Sequence, residues 1–92
     1  MFNNLPKVVT QTIFLIKALN PLRGIALIQR VIYLWREFYI KVRLIPIVES
    51  IKVEFKYKDE MLTSCKIKNI EDLIKIIDRI ALNNSEKGKD ID

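Results

Sequence analysis

Residues 51–82 constrain the fold more tightly than any other stretch. Ile51, Val53, Phe55 and Tyr57 alternate with Lys52, Glu54, Lys56 and Lys58. That period of two belongs to a strand with one buried face. Lys58-Asp59-Glu60 is a short polar break, and Met61, Thr63, Cys65 and Ile67 supply a second inward face. Asn69 follows as an N-cap candidate, and Ile70, Leu73, Ile74, Ile77, Ile80 and Ala81 recur at helical spacing. The pattern predicts a β-hairpin that feeds a helix over residues 70–82. Glu71 and Asp72 fall in the first turn and Arg79 near the other end, each with the sign that suits the helix dipole.

The first half is read in three pieces. Residues 7–19 contain Val8, Val9, Thr10, Thr12, Ile13 and Ile16, which are β-branched and favour a strand. A helix stays open there, because Lys7, Gln11, Phe14 and Lys17 fall near one helical face; the strand is the preferred reading. Asn20-Pro21 can open a helix, with Asn20 as cap and Pro21 at the first position, where its missing N–H costs nothing. That helix is expected over residues 21–38. Arg23, Arg30 and Glu37 lie seven apart and form one narrow polar stripe. The remainder is apolar on two seams, one of Ile25, Ile28, Ile32, Trp35 and Tyr39, the other of Leu27, Val31, Leu34 and Phe38. A surface helix needs one apolar stripe. The second therefore meets either a partner subunit or the chain's own last helix. Ile25, Ile28, Ile32 and Trp35 are the candidate partner-interface residues, with Trp35 as anchor, since buried aromatics dominate interfaces. Residues 39–48 connect. Ile40, Val42 and Leu44 alternate there with Lys41, Arg43 and Ile45, so the chain can become extended, and Pro46 disfavours helix at Ile45.

These pieces give an α+β domain over residues 1–83, in the order β-α-β-β-α, with a three-stranded antiparallel sheet and two helices. The alternative, with residues 7–19 helical, is α-α-β-β-α and winged-helix-like. Residues 84–92 are polar and read as a disordered tail.

At 92 residues the chain is one small domain. Such a domain buries only about 60 % of its unfolded surface and gains from partners that cover apolar area. The net charge of +5 is unevenly placed. Residues 1–50 hold seven basic and two acidic side chains, and residues 51–92 hold nine of each. This bias suits a polyanion or acidic partner, and equally a solubilising surface. The longest uncharged run, residues 8–16, is far short of the ~20 a membrane span needs. The leading residues lack a basic region and a cleavage site, and the single cysteine allows no internal disulfide, so a cytoplasmic protein is expected.

Most catalytic chemistry is missing from the residue inventory. There is no histidine, the commonest general base and neutral metal ligand. Cys65 has no Cys or His companion, and Gly24 and Gly88 are too few for a phosphate-cradling loop. Asp59/Glu60 and Glu71/Asp72 are accounted for by a turn and a helix start. No enzyme activity, metal or cofactor is expected. Phosphate binding is the chemistry left. On the hairpin, Lys52, Lys56, Lys58, Lys66 and Lys68 are the candidate nucleic-acid contacts. The bland account of the same lysines is a solvated strand face guarded against edge pairing.

Residues 12–19, Asn20-Pro21, and the run from Met61 to Leu73 (Met-Leu-Thr-Ser-Cys-Lys-Ile-Lys-Asn-Ile-Glu-Asp-Leu), with Ile70, Leu73 and Ile77 on the helix, carry a resemblance. Their order is similar to that of the small dimerising subunit of the KEOPS tRNA-modification complex, the polarised-growth and chromatin-controller family. The resemblance implies a non-catalytic accessory subunit that pairs with itself. It also implies binding to the ATP-using catalytic subunit of the complex and support for threonylcarbamoylation of adenosine in tRNA. A DNA-binding regulator of winged-helix type is the alternative. A further alternative is an amphipathic protein that lies on a membrane surface through Arg23, Arg30, Arg36 and Trp35.

Overall fold

The computed structural model describes residues 5–91, with side chains as far as residue 85. The order of elements is α1 (Lys7–Leu19), α2 (Gly24–Phe38), β1 (Ile40–Ile47), β2 (Ser50–Tyr57), β3 (Glu60–Ile67) and α3 (Asp72–Ile91). The α+β class and the three-stranded antiparallel sheet are as expected, with strands in the order β1-β2-β3. The order of elements is not. It is α-α-β-β-β-α, so residues 7–19 are a helix and the third strand comes from residues 40–47.

Packing explains the first difference. Val9, Ile13 and Ile16 fall on one helical face and are buried in the core. Tertiary burial of that face outweighs the modest strand preference of β-branched side chains. Thr12 shares the face and is buried as well. Its Oγ1 lies 2.6 Å from the carbonyl of Val42 and 2.9 Å from that of Val8. One hydroxyl hydrogen serves one acceptor at a time, and the shorter contact ties α1 to β1.

Asn20 does not cap α2, whose N-cap is Arg23; it closes a turn over residues 21–23 instead. Its Oδ1 accepts the backbone N–H of Arg23 at 3.1 Å, and its carbonyl accepts that of Gly24 at 2.9 Å. The helix then starts at Gly24 rather than at Pro21. Gly24 is buried against α1, where a Cβ would stand 3.1 Å from Ile16 Cγ2, so the missing side chain permits the close approach of α1 and α2. Helix α2 contacts α1, α3 and β1. Leu27, Val31 and Leu34 are buried, and so is Ile28 from the other seam. Ile32 and Trp35 are half-buried against the core, while Ile25 is 67 % exposed. The expected interface set is thus divided. Ile28 is used inside the chain, because α1, α3 and β1 pack around α2, while Ile25 and Tyr39 of the same seam stay exposed.

The polar stripe of α2 faces α3. Arg23 Nη1 lies 3.3 Å from Glu71 Oε1, and Arg30 Nε donates to Asp78 Oδ1 at 3.0 Å. Both pairs join residues 48 apart in sequence, so α2 and α3 run in the same direction. Backbone bonds from Asp72 to Asn69, Leu73 to Ile70 and Ile74 to Glu71 form a tight turn that leads into α3. Leu73 and Ile77 are fully buried. The helix continues through residues 84–91, which the composition assigned to a disordered tail. The polar composition there means that no apolar face needs cover, and a helical backbone is compatible with it.

Candidate nucleic-acid interface

Strand alternation sorts the sheet into two faces. Ile40, Val42, Leu44, Val53, Phe55 and Ile67 point into the core beneath the helices, and Cys65 stands on the same side opposite Val53. Partial burial pushes the Cys65 thiol above its ordinary pKa. The outer face is a grid of three rows, about 6.7 Å apart along the strands. Ile45, Lys52 and Lys66 form one row, Arg43, Glu54 and Ser64 the next, and Lys41 with Lys56 the third. The third row ends at a bulge. Phe55 pairs with Thr63 but Lys56 with Met61, which leaves Leu62 as the extra residue of β3.

Five cations therefore surround one carboxylate. Glu54 is only 8 % exposed, although it stands on the outer face. Arg43 Nη1 lies 3.7 Å from its Oε1, and Lys52 Nζ lies 3.8 Å from its Oε2. Glu54 Oε1 makes no hydrogen bond. Glu54 compensates its immediate neighbours and leaves the rest of the field positive. Two of the cross-strand pairs, Lys41 with Lys56 and Lys52 with Lys66, are like charges directly opposite, an arrangement that opposes folding.

Of the lysines expected from sequence, Lys52, Lys56 and Lys66 share this face. Lys58 is in the loop after β2, and Lys68 lies beyond the end of β3, so neither belongs to the grid. Lys41 and Arg43 were missed. The signal that finds them is the alternation of Ile40, Val42 and Leu44 with Lys41, Arg43 and Ile45, read as a strand paired to residues 50–57.

A second feature adjoins the third row. Trp35, Tyr39, Lys41, Tyr57 and Lys58 line a pocket of about 490 Å³. Trp35 and Tyr39 meet edge to face at 5.5 Å, Lys41 Nζ lies 5.9 Å from the centre of the Trp35 ring, and Lys58 Nζ lies 5.4 Å from that of Tyr57. No group of three or more His, Cys, Asp or Glu side chains among the described residues is placed to hold a metal ion. Among them, no helix is long and apolar enough to cross a membrane.

No protein-family model, curated protein or solved structure was found to match the chain.

Proposed function

We propose that this chain is a non-catalytic module that binds the phosphate backbone of a nucleic acid through the outer face of its sheet. The observation that carries the reading is the cross-strand register, which gathers Lys41, Arg43, Lys52, Lys56 and Lys66 on the outer face of the sheet. Like charges placed opposite each other are a standing cost in the free protein. A polyanion converts that cost into attraction, and counterion release adds to it. Off the sheet face, Arg23 and Arg30 pair with Glu71 and Asp78. The test is fluorescence anisotropy of a labelled oligonucleotide across a salt series. With three to four phosphates engaged, log K should fall against log salt with a slope of about −2 to −3. The double change Lys52→Glu and Lys66→Glu should abolish binding, while Lys68→Glu, off the grid, should change it little. Binding that survives the double change, or ignores salt, overturns the reading.

A role as an assembly subunit is the second reading. It is favoured by the exposed apolar side chains around the α1–α2 turn, where Leu22 is 91 % and Ile25 67 % exposed. The KEOPS resemblance loses its opening strand, because residues 7–19 are helical, and keeps only the β2-β3-α3 order. Light scattering tests it, with the chain alone and with the catalytic subunit of the tRNA-modifying complex. A dimer that joins that subunit in one peak supports it, and a monomer that ignores it removes it.

A further inference from the structure

We propose that the pocket between the end of α2 and the β2–β3 loop seats one unstacked nucleobase, so that the nucleic acid held by this protein is single-stranded. This rests on the phosphate-binding reading of the outer sheet face and specifies its ligand.

The pocket supplies three aromatic rings and two ammonium groups, from Trp35, Tyr39, Tyr57, Lys41 and Lys58. Tyr39 is 60 % and Tyr57 37 % exposed, so ring surface is open to a ligand. Aromatic pockets also hold organic cations. Here Lys41 and Lys58 repel a cation, and none of the lining residues is acidic. A flat, uncharged ring that carries a negative group beside it fits both demands, and a nucleobase with its phosphate is such a group. The base stacks on a ring face, and the lysine now over that ring swings on its flexible stem to the phosphate. A volume of about 490 Å³ is ample for one nucleotide.

Continuity with the basic face selects a strand over a free nucleotide. Lys41 lines the pocket and also stands in the third row of the grid beside Lys56. A chain with one base in the pocket can run its next phosphates over Lys56, Arg43 and Lys52. A duplex cannot, because its bases are stacked and paired. Tyr39, the C-cap of α2, and Lys58, in the β2–β3 loop, hold left-handed φ angles of 56° and 55°, as helix ends and hairpin loops commonly do.

Trp35 is the chain's single tryptophan, so its emission reports on the pocket directly. The full chain is titrated with an oligouridylate of about eight nucleotides, and separately with a blunt RNA duplex of the same length. The single strand should quench Trp35 emission in step with its anisotropy, and the duplex should leave emission unchanged. Tyr57→Ala should weaken single-strand binding about tenfold with duplex affinity unaltered. Tyr39→Gly, which suits the left-handed backbone, should do the same and carries the test where Tyr57→Ala does not fold. Trp35→Phe, which keeps a ring, should weaken binding less than either. Equal binding of both forms without quenching, and unchanged by Tyr57→Ala and Tyr39→Gly, overturns the base pocket and leaves phosphate binding intact. Failure to bind either form removes both readings together.

Discussion

Single residues in this chain hold positions that their types do not favour, and those positions make the sharpest tests. Glu49, in the β1–β2 loop, has a left-handed φ of 61°. A non-glycine residue is strained there by roughly 1–2 kcal/mol, and glycine's freedom in the unfolded chain returns part of that. Glu49→Gly should therefore raise stability by about 0.5–1 kcal/mol, read as a higher urea midpoint at constant slope. It should leave oligonucleotide binding unaltered, because Glu49 is in neither the grid nor the pocket. Thr12 is the opposite case, a polar residue in the core whose hydroxyl reaches the Val42 carbonyl at 2.6 Å. Thr12→Val keeps the shape and removes the hydrogen. The change should lower stability by about 1–3 kcal/mol, since it strands a buried acceptor. A melt unchanged by Thr12→Val would show that the hydroxyl does not hold α1 to the sheet.

Among the elements, α2 and α3 are joined by an apolar seam and an ionic one, and the two differ in weight. Leu73 and Ile77 are fully buried, so Leu73→Ala should cost about 2–5 kcal/mol. The Arg30–Asp78 pair is well solvated, and Arg30→Ala should cost no more than about 1 kcal/mol. Chemical denaturation of the two variants separates them, and equal losses would mean that the ion pair carries more than solvent screening allows. The hairpin of β2 and β3 and the apolar face of α3 were plain in the sequence, because alternation and helical spacing both report burial on one side. The seven-residue spacing of Arg23, Arg30 and Glu37 was read as a polar stripe, but the match of Arg23 and Arg30 to Glu71 and Asp78 was not. Its meaning as a helix–helix register needed the partner to be known. The strand at 40–47 was legible as alternation, but its adjacency to residues 50–57 was not drawn from it, and Lys41 and Arg43 were lost to the site for that reason. Residues 7–19 misled because β-branched preference was weighed above the spacing of Val9, Thr12, Ile13 and Ile16 at i, i+3, i+4 and i+7, the pattern of a helix with one buried face. The left-handed residues at Tyr39 and Lys58 carry no sequence mark, since both types are ordinary elsewhere.

In the molecule as a whole, positive charge is concentrated on the outer face of the sheet. This creates a conflict between stability and binding that can be measured. In the free protein Lys66 stands opposite Lys52, and exchanging a like pair for an opposite one stabilises a sheet by a few tenths to about 1 kcal/mol. Lys66→Glu should therefore raise the melting temperature, most visibly at low ionic strength, where screening is weakest. The same change should weaken oligonucleotide binding and lower the salt slope by about 0.7 for the phosphate contact removed. Glu54→Gln moves the site the other way. It removes the only negative charge of the grid, so affinity for a polyanion should rise, read as tighter oligonucleotide binding at the same salt. A face whose lysines served only as solvent cover would show the first effect, a higher melting temperature for Lys66→Glu, with no change in binding from either variant. Opposed signs for stability and affinity in Lys66→Glu, together with the gain in Glu54→Gln, are what a surface arranged for an anion must give.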